Sequence, residues 1–237
     1  VRALSTDQVV ALSTDQVTGL NTRTVQALST DAIAALTTGQ IEVINTAGLA
    51  ALTTSQVKAL STDAVIALST YQVANLTTGT MAALSTAQVA AIETTDIQAL
   101  STKQLAGLAT GTVSALTTDQ VIALTTYQVG NLSTATLKAL SSDQIAAIET
   151  TDIQVLTTGQ LAGLATSTVA ALTTDQVVAL TTYQIGNLST ATLKALSSDQ
   201  LVAIETTDIQ ALKTSQLATL ATSTVAALST DQIQALL

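Results

Sequence analysis

Leu or Ile occupies position 4 and every eighth residue after it, through Leu236. A second aliphatic column starts at Val9 with the same spacing, and Met81 is its one unusual member. The residue before each Leu is usually Ala, as at Ala3, Ala11 and Ala27. The first residue after each Leu is Ser or Thr in most octads. The second is always a hydroxyl residue, Ser at 142 and 198 and Thr elsewhere. No insertion or deletion breaks the period.

Neither regular element can run through this pattern. Eight residues at 3.6 per turn overshoot two helical turns by about 80°, so the Leu column would circle a continuous helix. Leu to the second aliphatic is five residues and back to the next Leu is three; odd spacings alternate between the faces of a strand. A β-solenoid with a corner in every octad escapes that objection and stands as the alternative. The polar residues favour helices. In Leu4-Ser5-Thr6-Asp7-Gln8-Val9, Ser followed three residues later by Gln is a capping box, with Ser5 as N-cap and Gln8 at N3. Leu4 at N′ and Val9 at N4 then form a hydrophobic staple. Asp7 falls at N2, where the helix dipole favours a negative charge. All twelve Asp fall at N2 or N3 of this register, and Asp96, Asp152 and Asp208 are the N3 cases.

Each octad therefore predicts a new helix, from Thr6 to about Leu12 in the first. Val9 and Leu12 share its inward face with Ala11 beside them, and Val10 points to solvent. Such helices are too short to stand alone and must pack on neighbours. The expected fold is all-α: a solenoid of very short N-capped helices, one per octad, wound into a superhelical rod. The uniform second hydroxyl allows two readings. Thr is itself the cap and the register is off by one, or its hydroxyl bonds an orphan carbonyl at a helix end and ties corners into a ladder. The ladder is the preferred expectation.

Composition adds exclusions. Hydrophobic residues are 47% of the chain, yet there is no Phe, Trp, Cys, His or Pro, and charged residues are only 10%. Seven Lys plus Arg against a net charge of −9 make nucleic acid a poor partner. The hydroxyl pairs interrupt every apolar run, so no helical membrane span is expected. With no His or Cys, and Ser without a partner base, an enzyme is not expected, nor a cofactor. Repeated Asp raises calcium, but calcium needs clustered oxygens, and the neighbours here are Thr and Gln; helix capping accounts for the Asp. Regular Thr rows also suggest an ice-binding solenoid, which would need a flat β face.

A longer period overlies the octad. "TTYQVGNLSTATLKALSSDQIAAIETTDIQ" starts at Thr125, a near copy starts at Thr181 and a looser one at Ser69, an offset of 56 residues. It places Tyr71, Tyr127 and Tyr183 in one class, Asn75, Asn131 and Asn187 in another, and Glu93, Glu149 and Glu205 in a third. Block duplication explains the offset. A whole number of superhelical turns per seven octads would also explain it, and would align the three classes as a surface stripe for binding or self-association. The Glu residues replace the hydroxyl cap, so those octads give up capping.

"LTTDQVVAL", Leu172 to Leu180, resembles the opening helix of transcription-activator-like effector repeats, which reads LTPEQVVAI. The resemblance covers one helix start and implies its register; the second helix and base-reading loop of that family are absent. Over its whole length the chain resembles the ALTTxQVxAL octapeptide arrays of very large bacterial surface or secreted proteins, often labelled adhesin-like. This resemblance implies an extracellular or cell-surface, repetitive, rod-forming segment and carries no binding residue. Residues 1–237 are expected to be one continuous solenoid within a longer protein. The expected function is a spacer or stalk working with flanking domains of the same chain. The alternative is a subunit that self-associates end to end or side by side into a filament or surface layer.

Overall fold

The computed structural model describes residues 4–236. Ala3, first of the small-residue column, lies outside them. The described residues form 29 helices of four to six residues, one per octad, from α1 (Thr6–Val10) to α29 (Thr230–Ala235). No strand occurs among them, which removes the β-solenoid.

The capping register is the one the octad dictates. In α1, Ser5 is the N-cap, its hydroxyl accepts from the Gln8 backbone N–H, and the Gln8 side chain accepts from the Ser5 N–H at 2.9 Å. The reading that made the following Thr the cap is thereby excluded. The helix closes early: the N–H of Leu12 bonds to the carbonyl of Val9 at 3.1 Å, an i→i−3 contact that tightens the last turn. The next cap, Ser13, is already extended at φ −71°, ψ 160°. Each corner is an extended N-cap, joined in many octads by an extended residue before it, as at Ile44 and Asn45 or Leu60 and Ser61. No residue among those described has positive φ, so the solenoid needs no left-handed glycine at its helix ends.

The chain divides into two compact units, residues 1–123 and 124–237. In the first, helices stack on the third helix before them. α4 (Thr30–Ala34) packs on α1, α7 (Thr54–Ala59) on α4, and α10 (Thr78–Ala83) on α7. A second stack runs through α2 (Thr14–Thr18), α5 (Thr38–Val43), α8 (Thr62–Ile66) and α11 (Thr86–Ala90). A third includes α9 (Thr70–Ala74), α12 (Thr94–Ala99) and α15 (Thr118–Ile122). Three octads make one turn of the solenoid. The second unit repeats the rule: α16 (Thr126–Gly130), α19 (Thr150–Ile153), α22 (Thr174–Val178) and α25 (Ser198–Val202) form one stack. α23 (Thr182–Gly186), α26 (Thr206–Ile209) and α29 belong to another.

The two aliphatic columns are the core. Val57, Val89, Ile97, Leu137 and Ile185 are fully buried, and the Leu column follows them closely. At about 1.5–3 kcal/mol for each fully buried aliphatic side chain, these columns are the main driving force. The Ala column departs from the expectation of an inward position. Ala11 is exposed and Ala59 half-buried, and small size matters there for contact between turns. A Cβ added to Gly107 would sit 3.2 Å from the Thr78 side chain and backbone.

Candidate functional site

The corner of each octad is where backbone polar groups gather, and the side chain at N3 decides how they are satisfied. Gln40 shows the commonest solution. Its Oε1 accepts from the Thr37 N–H at 3.0 Å, closing the capping box in its own octad. Its Nε2 donates to the carbonyls of Val9, Val10 and Leu12 at 2.8, 3.3 and 2.8 Å. Those carbonyls belong to the helix end and corner one solenoid turn earlier; Val9 already accepts from the Leu12 N–H, and the amide adds a second donor there while reaching Val10 and Leu12. Gln56, Gln72, Gln120, Gln176, Gln184 and Gln200 repeat the three-carbonyl contact at the same separations of 31, 30 and 28 residues. These amides are almost completely buried, Gln88, Gln120 and Gln176 at 2% exposure.

The ladder between corners therefore exists, but Gln carries it and Thr does not. Among the described residues, Thr182 is the one N1 hydroxyl that makes a hydrogen bond, donating to Asp208 Oδ1 at 2.5 Å. The expectation of an N1-hydroxyl ladder is thus corrected. The hydroxyl projects from the outer rim of the corner, whereas N3 points along the stack toward the previous turn. Hydrogen bonding gives no reason for the uniformity of the N1 hydroxyl. One sequence signal pointed to the Gln role. A capping box accepts Glu as readily as Gln, yet no octad has Glu at N3. Only an amide both accepts from its own N-cap and donates to the turn below.

The three periodic classes have separate placements. Tyr71, Tyr127 and Tyr183 are exposed at 71%, 73% and 72%. Asn75, Asn131 and Asn187 are C-caps, and each donates Nδ2 to the carbonyl of the Tyr four residues earlier at 2.8 Å. The Tyr–Asn spacing is thus a helix-end device. Glu93, Glu149 and Glu205 are N-caps without a side-chain cap bond. In the second unit, Tyr127 lies on α16 and Tyr183 on α23, in different stacks. Glu149 caps α19 and Glu205 caps α26, again in different stacks. Seven octads are not a multiple of the three that make a turn, so the period does not align these residues on one face of that unit.

The octads with a Glu cap carry Asp at N3. Asp96 and Asp152 are each 2% exposed and Asp208 is 8% exposed. Asp96 Oδ2 and Asp152 Oδ1 are buried without a hydrogen-bond partner.

Larger concavities are shallow in chemistry. A cavity of about 490 Å³ in the second unit is lined by Ala162, Gly163, Thr166, Ala191, Thr192 and Lys138, with Lys138 its one charged group. A groove of about 430 Å³ in the first unit holds Glu93 and Asp119 beside Thr94, Thr95, Thr117 and Gln120. Among the described residues, no three His, Cys, Asp or Glu side chains gather as metal ligands. No helix among them is long and apolar enough to cross a membrane.

No curated protein matches the chain. The profile of the ALTTAQ repeat matches residues 1–22, 41–78, 89–126, 126–158, 145–182 and 201–237, which together make up most of its length. The profile's name is also the octad's own word, an Ala-Leu pair, two corner hydroxyls and the Gln of the ladder. From corner chemistry and profile together, the chain belongs to the ALTTAQ repeat family.

Proposed function

We propose that this array is a structural spacer: a stalk segment of a bacterial cell-surface or secreted protein that holds other parts of the same chain at a fixed distance. The observation that supports this reading is the Gln ladder. Each bridging Gln ties its octad to the turn below with the same contacts, and the stacking of each helix on the third before it recurs through both units, so length follows repeat number. The exterior suits the role, with hydroxyls at every corner and few charges. The lack of Cys and the single, fully buried Met81 leave little for oxidants to attack.

The test is a length series. Duplicating the seven-octad block 125–180 once and twice should lengthen single particles in electron micrographs by equal steps, with width unchanged. Unequal steps or collapsed particles would refute the spacer. Long filaments or sheets at micromolar concentration would replace it with an assembling material, in which the repeat itself is the functional product. Surface localisation is tested separately, by protease shaving of intact cells followed by detection of the octad array.

A further inference from the structure

The bridging Gln residues reveal what an N3 position faces: a cluster of backbone carbonyls 31, 30 and 28 residues earlier, converging on one donor atom. At Asp96 the register carries the same position to the carbonyls of Val65, Ile66 and Leu68. The octads on either side confirm the phase. Gln88 donates to Val57 and Leu60, and Gln104 donates to Val73 and Leu76, all at 2.7–2.9 Å. α12, which carries Asp96, packs on α9, whose cap follows Leu68 directly. The Leu68 carbonyl accepts no hydrogen bond among the described residues. As a carboxylate, Asp96 offers this cluster only more acceptors; the residue is 2% exposed, and Oδ2 has no hydrogen-bond partner. A carboxylate among carbonyls, shut away from water, calls for a positive charge.

We propose that the Glu-Thr-Thr-Asp octads are calcium-binding sites, formed at Asp96 by the carboxylate and the carbonyls of the preceding turn. The clustered oxygens that calcium needs come from the backbone one turn below, which is why the spacing of Asp in the sequence does not show them. At Asp208 the N1 hydroxyl of Thr182 donates to the carboxylate at 2.5 Å, and Thr70 holds the same place relative to Asp96. Such a hydroxyl orients the carboxylate while its own oxygen remains available to a metal. Glu93 adds a second negative charge at the N-cap and makes no cap bond that binding would break. Hydration selects the ion: calcium takes carboxylate and carbonyl oxygens in flexible geometry, whereas magnesium dehydrates reluctantly and keeps several waters, for which a corner this buried leaves little room. One carboxylate per cluster points to the weak end of calcium sites, with Kd on the order of 10⁻³ M. This site is independent of the spacer reading.

The experiment is thermal unfolding of the whole chain with calcium chloride, magnesium chloride and matched ionic strength in sodium chloride, alongside calorimetric titration. Calcium in roughly tenfold excess over its Kd should raise Tm by several degrees, and magnesium should not. The triple variant Asp96→Gln, Asp152→Gln, Asp208→Gln installs the residue that neighbouring octads already use, so it keeps the fold, and it should lose the calcium shift and the titration heat. A control removes the same charge from exposed positions, Asp63→Asn, Asp143→Asn and Asp175→Asn, and should keep both. No calcium shift, an equal magnesium shift, or a shift that survives the triple variant would overturn the site, the last by showing only counterion screening of an acidic chain.

Discussion

Two consecutive octads of the first unit differ in little but their corner. α11 has Ser85 as N-cap and Gln88 at N3; α12 has Glu93 and Asp96. Both bury the same aliphatic columns, Val89 and Ile92 in one, Ile97 and Leu100 in the other. In the first corner the cap and N3 side chains are both matched: the Ser85 hydroxyl accepts from Gln88 N–H, Oε1 accepts from Ser85 N–H, and Nε2 closes the turn below. In the second corner the cap bond is absent and a buried carboxylate oxygen has no partner. The aliphatic columns set where helices form, and the corner sets how strongly one turn is tied to the next. A repeat can change its corner without changing its fold.

The comparison can be broken from the Gln side. Gln88→Glu keeps the acceptor for Ser85 but turns a carboxylate toward the carbonyls of Val57 and Leu60. An uncompensated buried charge costs about 3–5 kcal/mol, and urea unfolding at neutral pH should show a loss of that size. Gln88→Ala removes donor and acceptor together and leaves those carbonyls buried, for a loss of about 1–3 kcal/mol in the same assay. Were both variants to cost the same, charge would have no part in the selection of Gln over Glu.

The Asp side should respond in the opposite direction. In a chelator-treated sample, Asp96→Gln should stabilise by about 1–2 kcal/mol, since it exchanges an unpaired group for a matched one. Hydrogen exchange of the Glu93 amide, which gains an acceptor, should slow in parallel. The smallest effects belong to the caps. Ser85→Ala should cost about 1 kcal/mol, while Glu93→Ser should gain a similar or smaller amount. A loss on Glu93→Ser would mean that the carboxylate makes a contact more valuable than a cap.

The corner chemistry was legible in the sequence because it is local. Ser5, Asp7, Gln8 and Val9 interact within one turn of helix, so their order alone sets the register, the helix start and both core columns. What was not legible acts across turns. Nothing in a period of eight states that three octads complete a turn, and the expected Tyr–Asn–Glu stripe depended on that number. The uniform Thr at N1 suggests a ladder, yet N1 points outward; Gln, which the sequence shows as half a capping box, supplies the ladder through its other end. Asn75 was grouped with Tyr71 as surface, although its amide is bound to the Tyr71 carbonyl. Asp96 was assigned to dipole capping, and its burial follows only from the turn stacked beneath it.

The constant 28–31 residue reach of the Gln ladder also bears on how such a chain can fold and grow. Every long-range bond closes a loop of nearly the same size, so closure entropy per contact does not rise as octads are added. Relative contact order falls as the array lengthens, and topology alone imposes no slowing of the search for native contacts. Duplication of whole octads is therefore kinetically neutral. Loss of a single residue is not, because it shifts the register of every N3 side chain up to 31 residues downstream, whose carbonyls lie on the other side of the deletion.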